Sequence, residues 1–464
     1  MINAKYIGLR NFGFIFGVLS TFCIIVFLIG GSPRGDVQSL AVLRPLAVFA
    51  CGIGFWTLRF ANIPKARFLL IMAVGICANV VFQLVPLPQS LLPATPASDL
   101  IAEVNSAAKI VNTGMSITVT PESTLNSLFS LSVPLAVLLL GIQLTRHELY
   151  LLLPLVLTLG LLSGFLGMVQ VIGDPFGLFY FYQITNNGTA VGLFANRNHH
   201  AVLLACLFPM LAVYASVGLR SPEHSKRKSG LAVAAGAMLV PLLLVVGSRS
   251  GLIIGVIGLL SVPFIYRPRV FSEKTRRNVL LFNPVYAVVG FGTLIFGSVT
   301  VLMARTQAFQ RLSSSNQVED LRFQMWGPIA KQAWDHFPLG SGVGSFASVY
   351  QYGEKDTLLM AYYVNQAHND WLDLFLTSGV LGTLFCLVAI IAFAWRNAKV
   401  WSWVKSGMKE LAFYRLGAVI VAVLLLASVG DYPLRTPVIQ TILVIALLWF
   451  LENDAKTEEK TGST

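Results

Sequence analysis

Apolar runs long enough to cross a hydrocarbon core, about 20 residues each, recur along the whole length of this 464-residue chain. Together with the polar segments between them they predict twelve helices. These fall near 12–30, 41–57, 68–86, 125–144, 150–171, 200–219, 230–246, 251–266, 283–303, 374–394, 414–430 and 437–452. The pattern predicts an all-α polytopic membrane protein. The first run follows Lys5 and Arg10, is too long for a signal-peptide core and lacks a small-x-small cleavage site, so it is expected to stay as a helix. Three polar interruptions are long: 87–124, 172–199 and 304–373. The first contains DLIAEVNSAAKIV, a mildly amphipathic stretch. In the third, Trp326, Ile329, Ala330, Ala333, Trp334 and Phe337 recur at helical spacing, predicting an amphipathic helix on the membrane surface or across the end of the bundle. PLGSGVGSF follows, where Gly340, Gly342 and Gly344 mark a tight turn. No half of the chain repeats the other, and the tail ENDAKTEEKTGST has the composition of a disordered segment. The expected division is 1–189 for five helices and the first loop, 190–394 for a core with the large loop, 395–452 for two last helices, and 453–464 for the tail.

The composition agrees: 55% of residues are hydrophobic, 12% are charged, and mean hydropathy is +0.72. Position explains the net charge of +12. With the N-terminus inside, 22 of the 33 basic residues fall on the cytoplasmic side, and the acids lean the other way. Both ends are then cytoplasmic and the three long loops outside. Nucleic acid is not indicated as a partner. SKRKS and EKTRRN read as topology determinants, with anionic-lipid contact secondary. Five cysteines lie within apolar runs, without metal-ligand spacing or a paired framework.

Three arginines on the outer side draw interest: Arg197 in ANRNHH, Arg249 in the short hairpin GSRSG, and Arg322 at the start of the large-loop helix. A guanidinium matches phosphate oxygens two at a time. Converging near the interface, these three would suit a pyrophosphate whose lipid tail lies in the bilayer; snorkelling to headgroups is the competing account. His147 and His224 fall in cytoplasmic loops. His199 and His200 are adjacent, make a poor metal pair, and are expected to cap a helix mouth or touch headgroups. His336 suits a helix C-terminus. His368 stands where a loop enters a helix, in QAHNDWLDL beside Asn369 and Asp370, and is the candidate general base; a structural role is its alternative. Tyr350, Tyr352, Tyr362 and Tyr363 suit stacking on sugar rings or packing of the loop.

GLFANRNHHA, SRSG after an apolar helix, R-x-x-x-W with PLGSGVGSF, and AHNDWLDLFLTSGVLG, in that order over roughly 190–390, resemble the O-antigen ligase and polymerase superfamily of bacterial envelope glycosyltransferases. The resemblance implies a GT-C-like enzyme of the bacterial inner membrane. It would transfer glycan from a polyprenyl diphosphate on the periplasmic face, with inversion and with no cofactor or metal. His368 resembles the family's loop histidine proposed as base. Arg197 and Arg249 resemble the arginines that engage the donor diphosphate, and Arg322 the large-loop arginine, with a supporting role. Asn369 and Asp370 are supporting candidates. Where many members carry a Glu two residues before the helix glycine, this chain has Thr377, so Asp370 or Asp373 would have to substitute. The implied partners are a lipid-linked oligosaccharide or polysaccharide donor, a lipid A core or other glycan acceptor, and the bilayer. Ligase is the leading label; a polymerase of exopolysaccharide, capsule or O-antigen stands close behind, a protein O-glycosyltransferase is also open, and a twelve-helix transporter is the rival from another class.

Overall fold

The computed structural model describes residues 13–88, 90, 92, 95–109, 114–173, 177–218, 221–266, 298, 317–359, 363–401 and 409–451. Helices dominate these residues. In chain order they are α1 (Phe14–Ile29), α2 (Leu40–Thr57), α3 (Arg67–Leu84), α4 (Pro96–Ala107), α5 (Pro121–Ser130), α6 (Ser132–Gly141), α7 (Arg146–Ile172), α8 (Arg197–Ser216), α9 (Pro222–Val246), α10 (Arg249–Ile265), α11 (Gln317–Asp335), α12 (Phe346–Tyr352), α13 (Asp370–Trp401), α14 (Lys409–Gly430) and α15 (Pro437–Leu451). Two-residue strands, β1 (Pro86–Leu87) and β2 (Met115–Ser116), pair antiparallel and close the first long loop. Among the described residues eight spans are long and apolar enough to cross a membrane, and α1, α10 and α15 are shorter apolar helices. The chain is a multi-pass membrane protein. The helix expected at 283–303 lies, but for residue 298, outside the described residues, as do the N-terminal basic residues and the tail.

Local sequence explains the boundaries. Thr145 and Glu148 form a reciprocal capping box at the start of α7. The helix expected over 125–144 is interrupted between Ser130 and Ser132. Pro134 lacks an N–H, and its ring crowds the carbonyl four residues back, at Ser130. The α9–α10 hairpin is as tight as its sequence suggests. Gly247 adopts the left-handed conformation (φ 65°), and Ser248 accepts the Gly251 N–H at 2.9 Å to cap α10.

α8 is the most enclosed span, with 89% of its window buried. Small residues let α10 approach it closely: a Cβ on Gly258 would stand 2.3 Å from the Ala205 carbonyl oxygen, and one on Gly251 2.4 Å from Ala201 Cβ. One apolar core joins α8 to α1, α2, α6, α7, α9, α10, α14 and α15.

The large loop folds over the bundle end with its own small core of Met325, Ile329, Ala333, Phe346, Val349 and Tyr350. The amphipathic helix exists as α11, but its buried stripe differs from the expected one. Met325, Ile329, Gln332, Ala333 and His336 face inward, while Trp334 and Phe337 stay exposed and pack edgewise on Phe375 of α13. Burial follows the row that meets α12, not the bulkiest side chains. The glycine turn docks on a break in α13 at Gly379 (φ 56°, ψ −149°), a conformation open only to glycine. There Ser341 and Gly342 donate to the carbonyls of Leu376 and Thr377, each at 2.9 Å, and Val380 donates to Pro338 at 2.8 Å. Buried Gln83 of α3 bridges the junction, donating to the Thr377 carbonyl at 3.0 Å and accepting the Val343 N–H at 2.8 Å.

Candidate functional site

The N-termini of α8, α10, α13 and α15 and the turn 431–436 between α14 and α15 meet at one end of the bundle. Helix N-termini carry partial positive charge and unpaired N–H groups. In their midst lies the buried carboxylate of Asp431, 2% exposed. The Tyr432 N–H donates to its Oδ1 at 2.9 Å, and the Asn198 side-chain amide donates to its Oδ2. His368 Nδ1 stands 3.2 Å from Oδ1, His199 Nε2 3.8 Å from Oδ1, and Arg322 Nη1 3.9 Å from Oδ2. Burial alone would raise this carboxyl; the two imidazoles and the Arg322 charge outweigh it and hold Asp431 well below the usual carboxylate range.

His368 is held from three sides. It is a non-glycine residue at φ 48°, a costly conformation that persists only where surroundings impose it. Asn369 Oδ1 caps α13 by accepting the Trp371 and Leu372 N–H groups at 3.0 and 3.1 Å. Asp373 Oδ2 accepts the Ala367 N–H at 3.4 Å. Asp431 then engages the ring. An ionised carboxylate only accepts, so the His368 proton sits on Nδ1 and Nε2 keeps its lone pair. The side chain is 18% exposed, so the ring is not sealed from a substrate. Burial and then Arg322 push its pKa below the ordinary histidine value, against the opposing pull of Asp431.

The turn 431–436 is anchored by Arg435. Its Nη2 stands 2.6 Å from Asp373 Oδ1 and its Nε 3.5 Å from Asp370 Oδ1. Those two acids raise the guanidinium pKa further although burial opposes it. Thr436 Oγ1 lies 2.7 Å from His199 Nδ1, and the Tyr432 ring makes edge contacts with both His199 and His368, centroids 5.1 and 4.9 Å apart.

The structure therefore brings His368 and Arg322 onto one carboxylate. Arg197 and Arg249 are the first residues of α8 and α10, whose first turns abut at Ala201 and Gly251. A methyl on Gly430, the residue before Asp431, would stand 3.7 Å from Ser250 Cβ, so the Arg249 turn lies against the Asp431 turn. Asn369 is a helix cap and Asp370 a partner of Arg435. Neither Asp370 nor Asp373 is the histidine's partner; that place belongs to Asp431. Thr377 donates to the Asp373 carbonyl at 2.7 Å and forms part of the glycine-turn junction. His199 does not touch headgroups: it is fully buried, as is His200, whose Nδ1 meets the Ala190 carbonyl at 2.7 Å. His336 Nδ1 meets the Gln332 carbonyl at 2.8 Å, in the last turn of α11. Tyr350 is buried and stacked on Phe346, so packing accounts for it. Tyr363 is half exposed and accepts from Arg34 at 2.9 Å, Tyr352 is exposed, and Tyr362 lies outside the described residues.

Sequence reasoning missed Asp431, Tyr432 and Arg435. The available signal was DYPLR, a short polar interruption with an acid between the last two apolar runs.

Among curated proteins none matches the chain. A family match covers residues 233–387, which include Arg249, Arg322 and His368 but not Arg197 or Asp431. That family model is described as O-antigen ligase, so this segment is similar to the O-antigen ligase and polymerase superfamily that the chain's motifs resemble.

Proposed function

We propose that the protein is a glycosyltransferase of the bacterial inner membrane that moves a glycan from a polyprenyl diphosphate to an acceptor hydroxyl on the periplasmic face, as a ligase acting on lipid A core. The observation that carries this reading is that His368, within the segment matched to O-antigen ligase, holds its Nδ1 at 3.2 Å from the buried Asp431, which lies beyond that segment. In this mechanism His368 Nε2 takes the proton of the acceptor hydroxyl. The freed oxygen attacks the anomeric carbon as the bond to the diphosphate oxygen breaks and its electron pair leaves with the diphosphate. Attack from the opposite face inverts the anomeric configuration. Asp431 fixes the imidazole tautomer and stabilises the imidazolium that forms, the logic of a base oriented by a third group. General base catalysis of this kind contributes about 10²–10⁴-fold. Arg197, Arg249 and Arg322, with the N-termini of α8 and α10, would stabilise the leaving diphosphate. One well-placed donor in a site closed to water is worth about 3–4 kcal/mol.

The test is the glycan profile of cells carrying His368→Ala at the native locus, with protein level checked by blot. Long polymer stranded on the lipid carrier is the result expected of a ligase. Single repeat units stranded there would make the enzyme a polymerase. An unchanged profile at normal protein level would remove His368 from the mechanism.

A further inference from the structure

The segment 177–186, between α7 and α8, has its polarity turned inside out. Its tyrosine hydroxyls and Thr185 point into the protein, while Gln183 and Asn186 stay exposed. Tyr182 Oη accepts the Gly31 N–H at 2.8 Å, Tyr180 Oη donates to the Thr189 carbonyl at 3.1 Å, and the Phe179 carbonyl accepts from Gln170 Nε2 at 2.8 Å. Thr185 Oγ1 donates to the Ala195 carbonyl at 3.0 Å. Its large apolar side chains point outward: Leu178 is 94% exposed, Phe179 45%, Phe181 58% and Ile184 60%. A loop bathed in water does the reverse, because burying such side chains away from water is favourable. Contiguous exposed apolar surface marks a partner. Here the outward groups include two aliphatic side chains without hydrogen-bonding capacity, which suits hydrocarbon better than sugar.

We infer that the side chains of Leu178, Phe179, Phe181 and Ile184 reach into the membrane leaflet at the site end of the bundle, as a wedge beside α8. Buried Gln170 ties the segment to the turn that follows it: its Nε2 donates to the Phe179 carbonyl, and its Oε1 accepts the Val191 and Gly192 N–H groups at 3.0 and 2.7 Å. The wedge is tied directly to a proposed donor-binding residue: Asn186 Oδ1 accepts the Arg197 N–H at 3.0 Å, and the Asn186 N–H donates to the Ala195 carbonyl at 3.2 Å. On the proposed function, this lets the diphosphate of a lipid-linked donor reach Arg197 while its isoprenoid chain stays in the leaflet.

The insertion is tested without reference to activity. Phe181→Cys and Asn187→Cys, each in the full chain with the five native cysteines replaced, are spin-labelled and placed in phospholipid nanodiscs. Collision rates with oxygen, which partitions into hydrocarbon, are compared with those of a water-soluble nickel chelate. The wedge requires an oxygen-to-nickel ratio several-fold higher at 181 than at exposed Asn187. Equal ratios, or a nickel-accessible 181, overturn it and turn the aromatics toward the aqueous glycan. Leu178→Ser/Phe181→Ser/Ile184→Ser then separates the two readings. A raised KM for lipid-linked donor with kcat retained joins the wedge to donor delivery. Unchanged kinetics beside a positive depth result would leave the insertion standing and overturn its role in delivery.

Discussion

At the scale of the residue, the chemistry turns on which groups face Asp431. His368 works as a base only when neutral, and burial and Arg322 lower its pKa from the ordinary value. Transfer should therefore switch on as pH rises through that lowered pKa and stay flat through neutral pH. Asp431 is the influence that raises the histidine pKa. Asp431→Asn should move the acid limb of the pH profile lower still while cutting the rate by about 10²-fold or more, since the amide neither fixes the tautomer nor balances the imidazolium. Rates of transfer measured against pH on purified protein check this. An acid limb that moves upward, or a rate that holds, would assign Asp431 to packing alone.

At the scale of the element, two junctions hold that geometry. The first is the break in α13. A Cβ on Gly379 would stand 2.2 Å from the Pro338 carbonyl oxygen, at a backbone conformation that costs other residues about 1–3 kcal/mol. Gly379→Ala should lower the thermal unfolding midpoint by several degrees, read by size-exclusion fluorescence after heating; an unshifted midpoint would mean that the glycine turn is not locked to α13. The second is Arg435 with Asp373, which clamps the turn bearing Asp431 to the turn bearing His368. Removing one partner of a buried pair costs about 3 kcal/mol. Asp373→Asn should lower stability and kcat together while leaving KM for the donor unchanged. A change confined to KM would place this acid at the substrate instead.

At the scale of the whole molecule, the site gathers at one end of the bundle, and the basic loops of the sequence are expected at the other. A cysteine at His224, in the first turn of α9, and one at Asn187, in the loop before α8, report on opposite ends. In intact cells a membrane-impermeant maleimide should label Asn187→Cys and spare His224→Cys until the membrane is opened. The reverse pattern would turn the protein over and put the site in the cytoplasm.

The sequence by itself determined the helices, because crossing a bilayer demands long apolar runs that are visible without a partner. Eleven of the twelve expected positions carry described helices, with ends shifted by caps such as Asn369 and by Pro134. It also singled out His368, Arg197, Arg249 and Arg322 as candidates, because they fall on the side opposite the basic loops. The tertiary structure alone decided that Asp431, 63 positions from His368, is the histidine's partner, and that His199 is buried beside them. It likewise turned α11 so that Trp334 faces out. A contact between distant segments leaves no periodicity in the chain; it follows from how α8, α13 and α14 pack, and packing is settled by side-chain shape and close backbone approach.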